Sequence, residues 1–320
     1  MKILVVQNRM GIGDTVIFLP FIKALSKKFN SPISLLVKEN SKADQYLFQT
    51  EYIDKIILLK RETKINDRHD WIFGFFNLIK DIKKYNFEKV VIFNSSFRFN
   101  LVAKFSGIPD IYQYPLFKKT QQHIVDTPRK FIIDKFNLEV NDDPEIHISE
   151  GFVNNAMNKF QIDKNDFNIL LGIGGSGPTK RIPANTFLNL IKKILDIKKC
   201  KFFLATGKNN DEQIILNKIL NSEFKHFCIP LDDLTIKETL PIIKNCNLSV
   251  CNDSSFSHLS AALGIKTITL MADTPLIYGN YNSKMFPIIP DGEKTVTHNT
   301  LGKDKIDSQK ILNKILEIIN

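Results

Sequence analysis

The chain reads as an α/β protein with two doubly wound parallel-sheet domains, one following the other. Three observations predict this. Short runs rich in Ile, Val and Leu alternate with segments of helical period along most of the 320 residues. The runs lack polar alternation, as strands covered by helices on both faces do. The alternation lapses once, between 137 and 165, and a chain of this length exceeds the usual domain of about 100–200 residues.

In order, the strand-like runs are Lys2–Val6, Ile33–Val37, Lys55–Leu59 and Lys89–Phe93, then Asn168–Ile173, Lys201–Ala205, Leu248–Cys251 and Thr267–Met271. Helical segments between them are Thr15–Phe29, Trp71–Tyr85, Phe187–Ile197, Asp211–Leu220, Ile236–Asn245 and Ser254–Leu263. Phe97–Phe105 and Gln122–Phe136 read as helical without clean punctuation. Repeated β-then-α order implies right-handed crossovers. Asn141-Asp142-Asp143-Pro144 is polar and proline-stopped, which sets the domain change near Glu150 and gives domains 1–150 and 151–306. A last helix, Asp307–Ile319 within 307–320, is free to pack back on either domain, the amino-terminal one included.

Composition narrows the function classes. Apolar residues make up 43% and charged residues 24%, the balance of a globular protein rather than a disordered or fibrous one. No apolar run reaches the roughly 18–20 residues that span a bilayer. Met1-Lys2-Ile3-Leu4-Val5-Val6 is too short for a signal-peptide core and suits a buried first strand. Cys200, Cys228, Cys246 and Cys251 contain no Cys-x-x-Cys pair, which points to reduced thiols and a cytoplasmic chain. The +10 charge lies in front: residues 1–135 hold 23 of the 44 Lys+Arg and 13 of the 34 Asp+Glu, leaving 21 of each behind. A basic half implies an anionic partner, unless it reflects a lysine-rich composition spread over solvated helices.

Three motifs carry chemistry. After the first strand comes Arg9-Met10-Gly11-Ile12-Gly13-Asp14-Thr15. Its glycines permit a tight turn, and Asp14 stands where a helix cap would. Val16 replaces the third glycine of a dinucleotide fingerprint, and a carboxylate at a helix start repels a diphosphate. Asp14 is therefore either a cap or an ionised carboxylate at the carboxyl edge of a sheet. Pro20 predicts a break in the helix that follows, so that its first turns form a separate piece. The second motif, Gly174-Gly175-Ser176-Gly177-Pro178-Thr179-Lys180-Arg181, offers backbone N–H groups and cations to an anion, or is an ordinary glycine loop with surface lysines. The third, Asn252-Asp253-Ser254-Ser255-Phe256-Ser257-His258, starts a helix with hydroxyl residues and places a histidine one turn inside. That pattern suits an anion site or a capped helix with a hydrogen-bonded core histidine.

Taken together and in this order, Gly-x-Gly-Asp, the glycine loop with its lysine, and Asn-Asp-Ser-Ser-x-x-His-Leu-x-Ala-Ala-Leu-Gly resemble glycosyltransferase family 9, whose members include the ADP-heptose:lipopolysaccharide heptosyltransferases. The resemblance implies a GT-B fold, two Rossmann-like domains facing a central cleft, with the acceptor on the first and the sugar nucleotide on the second. It implies inverting transfer with no metal and no cofactor. Asp14 matches the family's general base and Lys180 the lysine on the donor diphosphate. Gly175 and Ser176 fall on the phosphate loop, and Asp253, Ser254, Ser255 and His258 on the nucleotide loop. The ribose acid corresponds to Glu212, with Asp211 as the alternative, and Leu234 lies near the base-contacting position. Two departures touch the donor region: Ser255 replaces a usual Gly, and Leu270-Met271-Ala272-Asp273-Thr274-Pro275 replaces a common Phe-Gly-Pro-Thr.

The partners implied are a nucleotide-sugar, ADP-sugar first, and an anionic glycolipid or glycan. The chain is expected to be a monomer, binding no nucleic acid, and to touch the cytoplasmic face of an inner membrane. Arg9, Gly13, Arg61, Lys64 and Arg98 are the acceptor candidates, within a wider set that includes Arg68, Lys118, Lys119, Arg129 and Lys130. Phe73-Gly74-Phe75-Phe76 is read as helix core, with a lipid-touching patch as the alternative. Rival readings are UDP- or GDP-sugar transfer in capsule or O-antigen assembly, and a non-catalytic polyanion-binding protein.

Overall fold

A computed structural model describes residues 1–61, 67–116 and 123–319, which divide into two compact units, Met1–Glu145 and Ile146–Asn320. The division falls five residues before the expected boundary at Glu150.

The first unit runs β1 (Ile3–Gln7), α1 (Ile12–Phe29), β2 (Ile33–Lys38), α2 (Ala43–Tyr46), β3 (Ile53–Leu59), α3 (Trp71–Lys83), β4 (Lys89–Ile92), α4 (Phe97–Phe105), β5 (Asp110–Gln113) and α5 (Asp126–Phe136). Its sheet has the order β3-β2-β1-β4-β5, and every pairing is parallel. β1 and β2 are buried along their whole length, which is why their sequences show no polar alternation.

The second unit runs α6 (Glu150–Lys159), β6 (Phe167–Gly172), α7 (Ala184–Leu195), β7 (Cys200–Ala205), α8 (Asn210–Leu220), β8 (Cys228–Pro230), α9 (Ile236–Lys244), β9 (Leu248–Asn252), α10 (Ser255–Ala262), β10 (Thr267–Leu270), β11 (Met285–Ile288) and α11 (Ser308–Ile319). Its parallel sheet has the order β11-β10-β9-β6-β7-β8. Counted within the unit this is the 3-2-1-4-5-6 order of a dinucleotide-binding domain, with the strand order reversing between β6 and β9. Both units are Rossmann-like and doubly wound, and the chain has a GT-B-like fold.

Several expectations are corrected. β5, β8 and β11 carry no strand-like run in the sequence, and all three are edge strands of three or four residues. Edges tolerate short, polar and proline-containing segments, and Pro230 and Pro287 lie in two of them. Helix α6 occupies part of the segment read as a lapse. Pro20 does not split α1, which is continuous from Ile12. The residues around that proline are buried on all sides, so packing holds the helix across the missing backbone bond. Of the two placements open to the last helix, packing on the second domain is seen: Ile311, Leu312, Ile315 and Ile318 of α11 are buried with Phe187, Leu190 and Ile191 of α7. Phe73 and Phe76 are not core, being 83% and 60% exposed.

Candidate functional site

In an open α/β sheet, ligands sit outside the carboxyl ends of the strands, where the order reverses. In the first unit those ends belong to β1 and β4. The turn after β1 begins helix α1 at Gly11, which has a φ of 99° and is the N-cap, with no side chain capping the helix. Asp14 is therefore not the cap. It is half-buried in the first turn, where a carboxylate is favoured by the helix dipole, and its carbonyl accepts from Gln7 Nε2 at 3.3 Å. Gly13 lies beside it in the same turn. Tyr46 is fully buried, and its phenol is pushed well above the ordinary range by that burial, with the charges of Asp44 and Asp14 adding to the effect.

The acceptor candidates separate. Arg9 is half-buried on the β1–α1 turn, where its charge opposes the upward push that burial exerts on the Tyr114 phenol. Arg61 is half-buried just past β3. Arg98, on α4, donates to the carbonyls of His69 (2.9 Å) and Trp71 (3.2 Å) and so holds the start of α3. Lys64, Lys118 and Lys119 lie outside the described residues.

In the second unit the reversal brings together the glycine loop after β6 and the helix start after β9. Lys180 Nζ donates to Asp253 Oδ2 at 2.9 Å, which joins the second and third motifs. Asp253 is only 5% exposed. Burial pushes its carboxyl up, yet the Lys180 and His258 side chains more than offset this and hold it below the ordinary range. His258 is buried too, which pushes its imidazole down to about 4 against the opposing pull of Asp253. It is therefore neutral near pH 7. Asp253 Oδ1 lies 3.9 Å from Nε2, and Nδ1 shares a 2.7 Å hydrogen bond with the Tyr281 hydroxyl, whose direction follows the imidazole tautomer. The two rings stack at 23°. Ser254 is the N-cap of α10, and its buried hydroxyl has no hydrogen-bond partner among the described residues. Ser255, the departure from the usual Gly, takes the first helical position without a positive φ.

The glycine loop is braced from beneath. Asn252, fully buried at the end of β9, donates Nδ2 to the carbonyls of Ile173 (2.9 Å) and Gly174 (3.2 Å). Glu212, near-buried in the first turn of α8, accepts the Gly175 N–H at 2.7 Å through Oε1 and an Asn209 amide proton through Oε2. A Cβ on Gly174 would stand 2.4 Å from Glu212 Oε1, and one on Gly207 2.4 Å from Oε2, so a side chain at either position would displace the carboxylate that holds the loop. Arg181 donates to the Gly175 carbonyl (3.2 Å) and to Asp211 Oδ2 (2.6 Å). Ser176 stays exposed on the loop. Leu234 is half-buried past β8, just before the capping box of Thr235 and Glu238. Asp273, in the other departing segment, accepts the N–H groups of Asn299 and Leu301 at 2.9 Å each and pins that stretch of chain.

Sequence reasoning missed Asn209 and Tyr281, and it missed the bracing duty of Asn252, Arg181 and Asp273, which it read only as members of their segments. Asn252, Asn209, Arg181 and Asp273 brace backbone, and an acidic, basic or amide side chain in a loop carries no sign of that duty. Tyr281 lies 23 residues from its histidine in irregular chain, so no spacing rule links them. Among the described residues no three His, Cys, Asp or Glu side chains are grouped as metal ligands, and the four cysteines are free and buried.

Comparison with known proteins supplies the family. Lipopolysaccharide heptosyltransferase 1 of Campylobacter coli is 28% identical over 151 residues, a stretch covering 47% of this chain and 44% of that protein. Less than half the length of that relative is thus matched. Lipooligosaccharide heptosyltransferase 2 of Campylobacter jejuni subsp. jejuni serotype O:6 is 24% identical over 326 residues, 96% of each chain. The structure of E. coli ADP-heptose LPS heptosyltransferase II superposes with a TM-score of 0.76 at 19% identity, covering 99% of this chain and 98% of that one. The family model described as "Glycosyltransferase family 9 (heptosyltransferase)" matches residues 76–303, which include the glycine loop, Lys180, Asp253 and His258. The chain belongs to glycosyltransferase family 9.

Proposed function

We propose that the chain transfers a sugar from a nucleotide-sugar donor to a lipopolysaccharide, lipooligosaccharide or other cell-surface glycan, with inversion at the anomeric carbon and without a metal. The observation that carries this reading is the cluster of Lys180, Asp253, Ser254 and His258 at the reversal point of the second sheet, in a family 9 chain. An ADP-sugar is the favoured donor and a heptose the favoured sugar, as the names of the E. coli and Campylobacter proteins suggest.

In the step proposed, the acceptor hydroxyl oxygen bonds to the anomeric carbon as the bond to the diphosphate oxygen breaks. The diphosphate leaves with that electron pair, and Asp14 takes the hydroxyl proton. Lys180, the amide of Ser176 and the start of α10 supply positive potential where negative charge gathers, on a loop that Gly175 anchors. Asp253 aims the ammonium, and neutral His258 contributes a hydrogen-bonding imidazole rather than a second charge. Glu212 acts on the nucleotide side by holding the Gly175 amide, with Leu234 beside the base and Ser255 opening the helix. Arg9, Gly13 and Arg61 serve the acceptor.

Calorimetric titration with ADP, UDP and GDP in EDTA, on the native chain and on Lys180→Ala, tests this. ADP is expected to bind without metal, and loss of the charged contact to weaken it about tenfold or more. Preference for UDP or GDP would replace the donor and keep the reaction. Binding of none of the three would overturn the donor site.

A further inference from the structure

Helix α3 has two unlike sides. Its core side is Gly74, Leu78 and Ile82, all buried. At 3.6 residues per turn the opposite side carries Ile72, Phe73 and Phe76 in its first half and Lys80, Lys83 and Lys84 beyond. The apolar half faces solvent: Trp71 is 78% exposed, Ile72 74%, Phe73 83% and Phe76 60%. Single exposed hydrophobics are ordinary, but four within six residues form a patch. It extends sideways, because the half-buried Phe75 ring meets both Phe76 (5.4 Å) and Phe105 of α4 (6.2 Å), itself 62% exposed. The three lysines and Lys104 are exposed along its border.

The presentation is built rather than loose. Trp71 holds a left-handed φ of 52°, a strained value for a bulky residue. Arg98 fixes it by donating to the carbonyls of His69 and Trp71. Gly74 lets the helix lie on the His69 backbone, where any Cβ would come within 2.1 Å of the carbonyl carbon. The fold thus keeps the chain's one tryptophan pointed away from the core.

We propose that this face docks on an anionic phospholipid surface, with Trp71, Ile72, Phe73 and Phe76 entering the headgroup boundary and Lys80 and Lys83 lying against lipid phosphates, while Lys84 stays paired with Asp81 at 2.8 Å. An apolar wedge with a basic border is the pattern of interfacial binding. Charge separates this partner from a second copy of the chain: a copy brings the same excess of cations, whereas lipid phosphates complement it. The excess of cations in residues 1–135 acts in the same direction. No described helix is long and apolar enough to cross a bilayer, so the contact is peripheral. The inference rests on the proposed function only for its purpose, since a glycolipid acceptor would lie in such a surface.

The test uses the full chain with vesicles of phosphatidylglycerol and phosphatidylethanolamine, and with phosphatidylcholine alone as the neutral control. Trp71, as the sole tryptophan, reports contact directly. Its emission is expected to shift to the blue on the anionic vesicles and to be quenched by lipids brominated near the headgroup. Phe73→Ser with Phe76→Ser is expected to weaken co-sedimentation about tenfold or more. Lys80→Glu with Lys83→Glu should weaken it about fivefold per charge removed. Thermal melts of the same variants by far-UV circular dichroism check that they fold, and Phe73→Leu with Phe76→Leu should restore binding. Absence of a blue shift and of co-sedimentation would overturn the docking surface, as would a concentration-dependent blue shift and dimer without vesicles. Vesicle binding by a chain that binds no nucleotide would sink the proposed function and leave the docking surface standing.

Discussion

The Lys180–Asp253 pair is the contact on which the donor site turns, and its strength can be measured by a double-mutant cycle. At 2.9 Å and an effective dielectric of 20, the gross attraction is about 6 kcal/mol. Removing one partner of a buried pair costs about 3–5 kcal/mol, because the other charge is left without compensation. Asp253 is 5% exposed but the Lys180 side chain is 24% exposed, so screening lowers the expectation for Lys180→Met to about 2–3 kcal/mol. Neutral His258 at 3.9 Å cannot replace the ammonium. Combining Lys180→Met with Asp253→Asn should recover about 2 kcal/mol as coupling energy. Urea unfolding followed by far-UV circular dichroism measures all four corners of the cycle. The pH dependence supplies a second arm. Asp253 has a depressed carboxyl, so its stabilisation is present above the unfolded value of about 3.9 and is lost as pH falls through the folded one. The gap between the native chain and Lys180→Met should therefore close below about pH 4. Additivity within about 0.5 kcal/mol, with a gap that does not change with pH, would refute the pairing.

Other substitutions test other parts of the site. Asp14→Asn should lower turnover by about 10²–10⁴ while leaving nucleotide affinity unchanged, as measured by transfer rate beside calorimetry. Gly174→Ala drives a Cβ to 2.4 Å from Glu212 Oε1 and 3.1 Å from the Thr206 backbone, and should cost about 1–3 kcal/mol in a thermal melt together with nucleotide affinity. A variant as stable and as tight as the native chain would mean that the loop yields freely. Burial holds His258 neutral in the fold down to about pH 4, whereas the unfolded group protonates near 6.5. The unfolded state therefore binds more protons in that window, and about 3 kcal/mol of stability should be lost as pH falls from 6.5 to 4. His258→Gln should flatten that slope, and an unchanged slope would assign the loss to other groups.

The central strands were legible in the sequence because burial on both faces leaves a nearly continuous apolar run, as in β1, β2 and β6. The edge strands β5, β8 and β11 were not, since half their surface answers to solvent and proline is tolerated there. The donor motifs were legible for a related reason: loops that approach an anion need glycine, hydroxyls and a cation at fixed offsets. What joins the motifs was not. That Lys180 meets Asp253, or that Asn252 reaches Ile173, depends on which strands are neighbours, and neighbour order is set by crossovers rather than by local composition. Phe73 and Phe76 were misread because an exposed aromatic turn and a buried one have the same sequence.

Two adjacent acids at the start of α8 grip the glycine loop from either side. Glu212 takes the Gly175 amide, and Asp211 takes Arg181, which in turn reaches the Gly175 carbonyl. One residue of the loop is thereby clamped at both ends of its own backbone. Such a loop is not a flap that folds over its ligand. Its ordering entropy is lost during folding rather than at association, so a ligand meets a surface already shaped and does not draw on its own affinity to shape it. Selectivity on this side would then reside in rigid complementarity, and substitutions in α8 that touch no ligand should alter affinity chiefly by letting the loop wander.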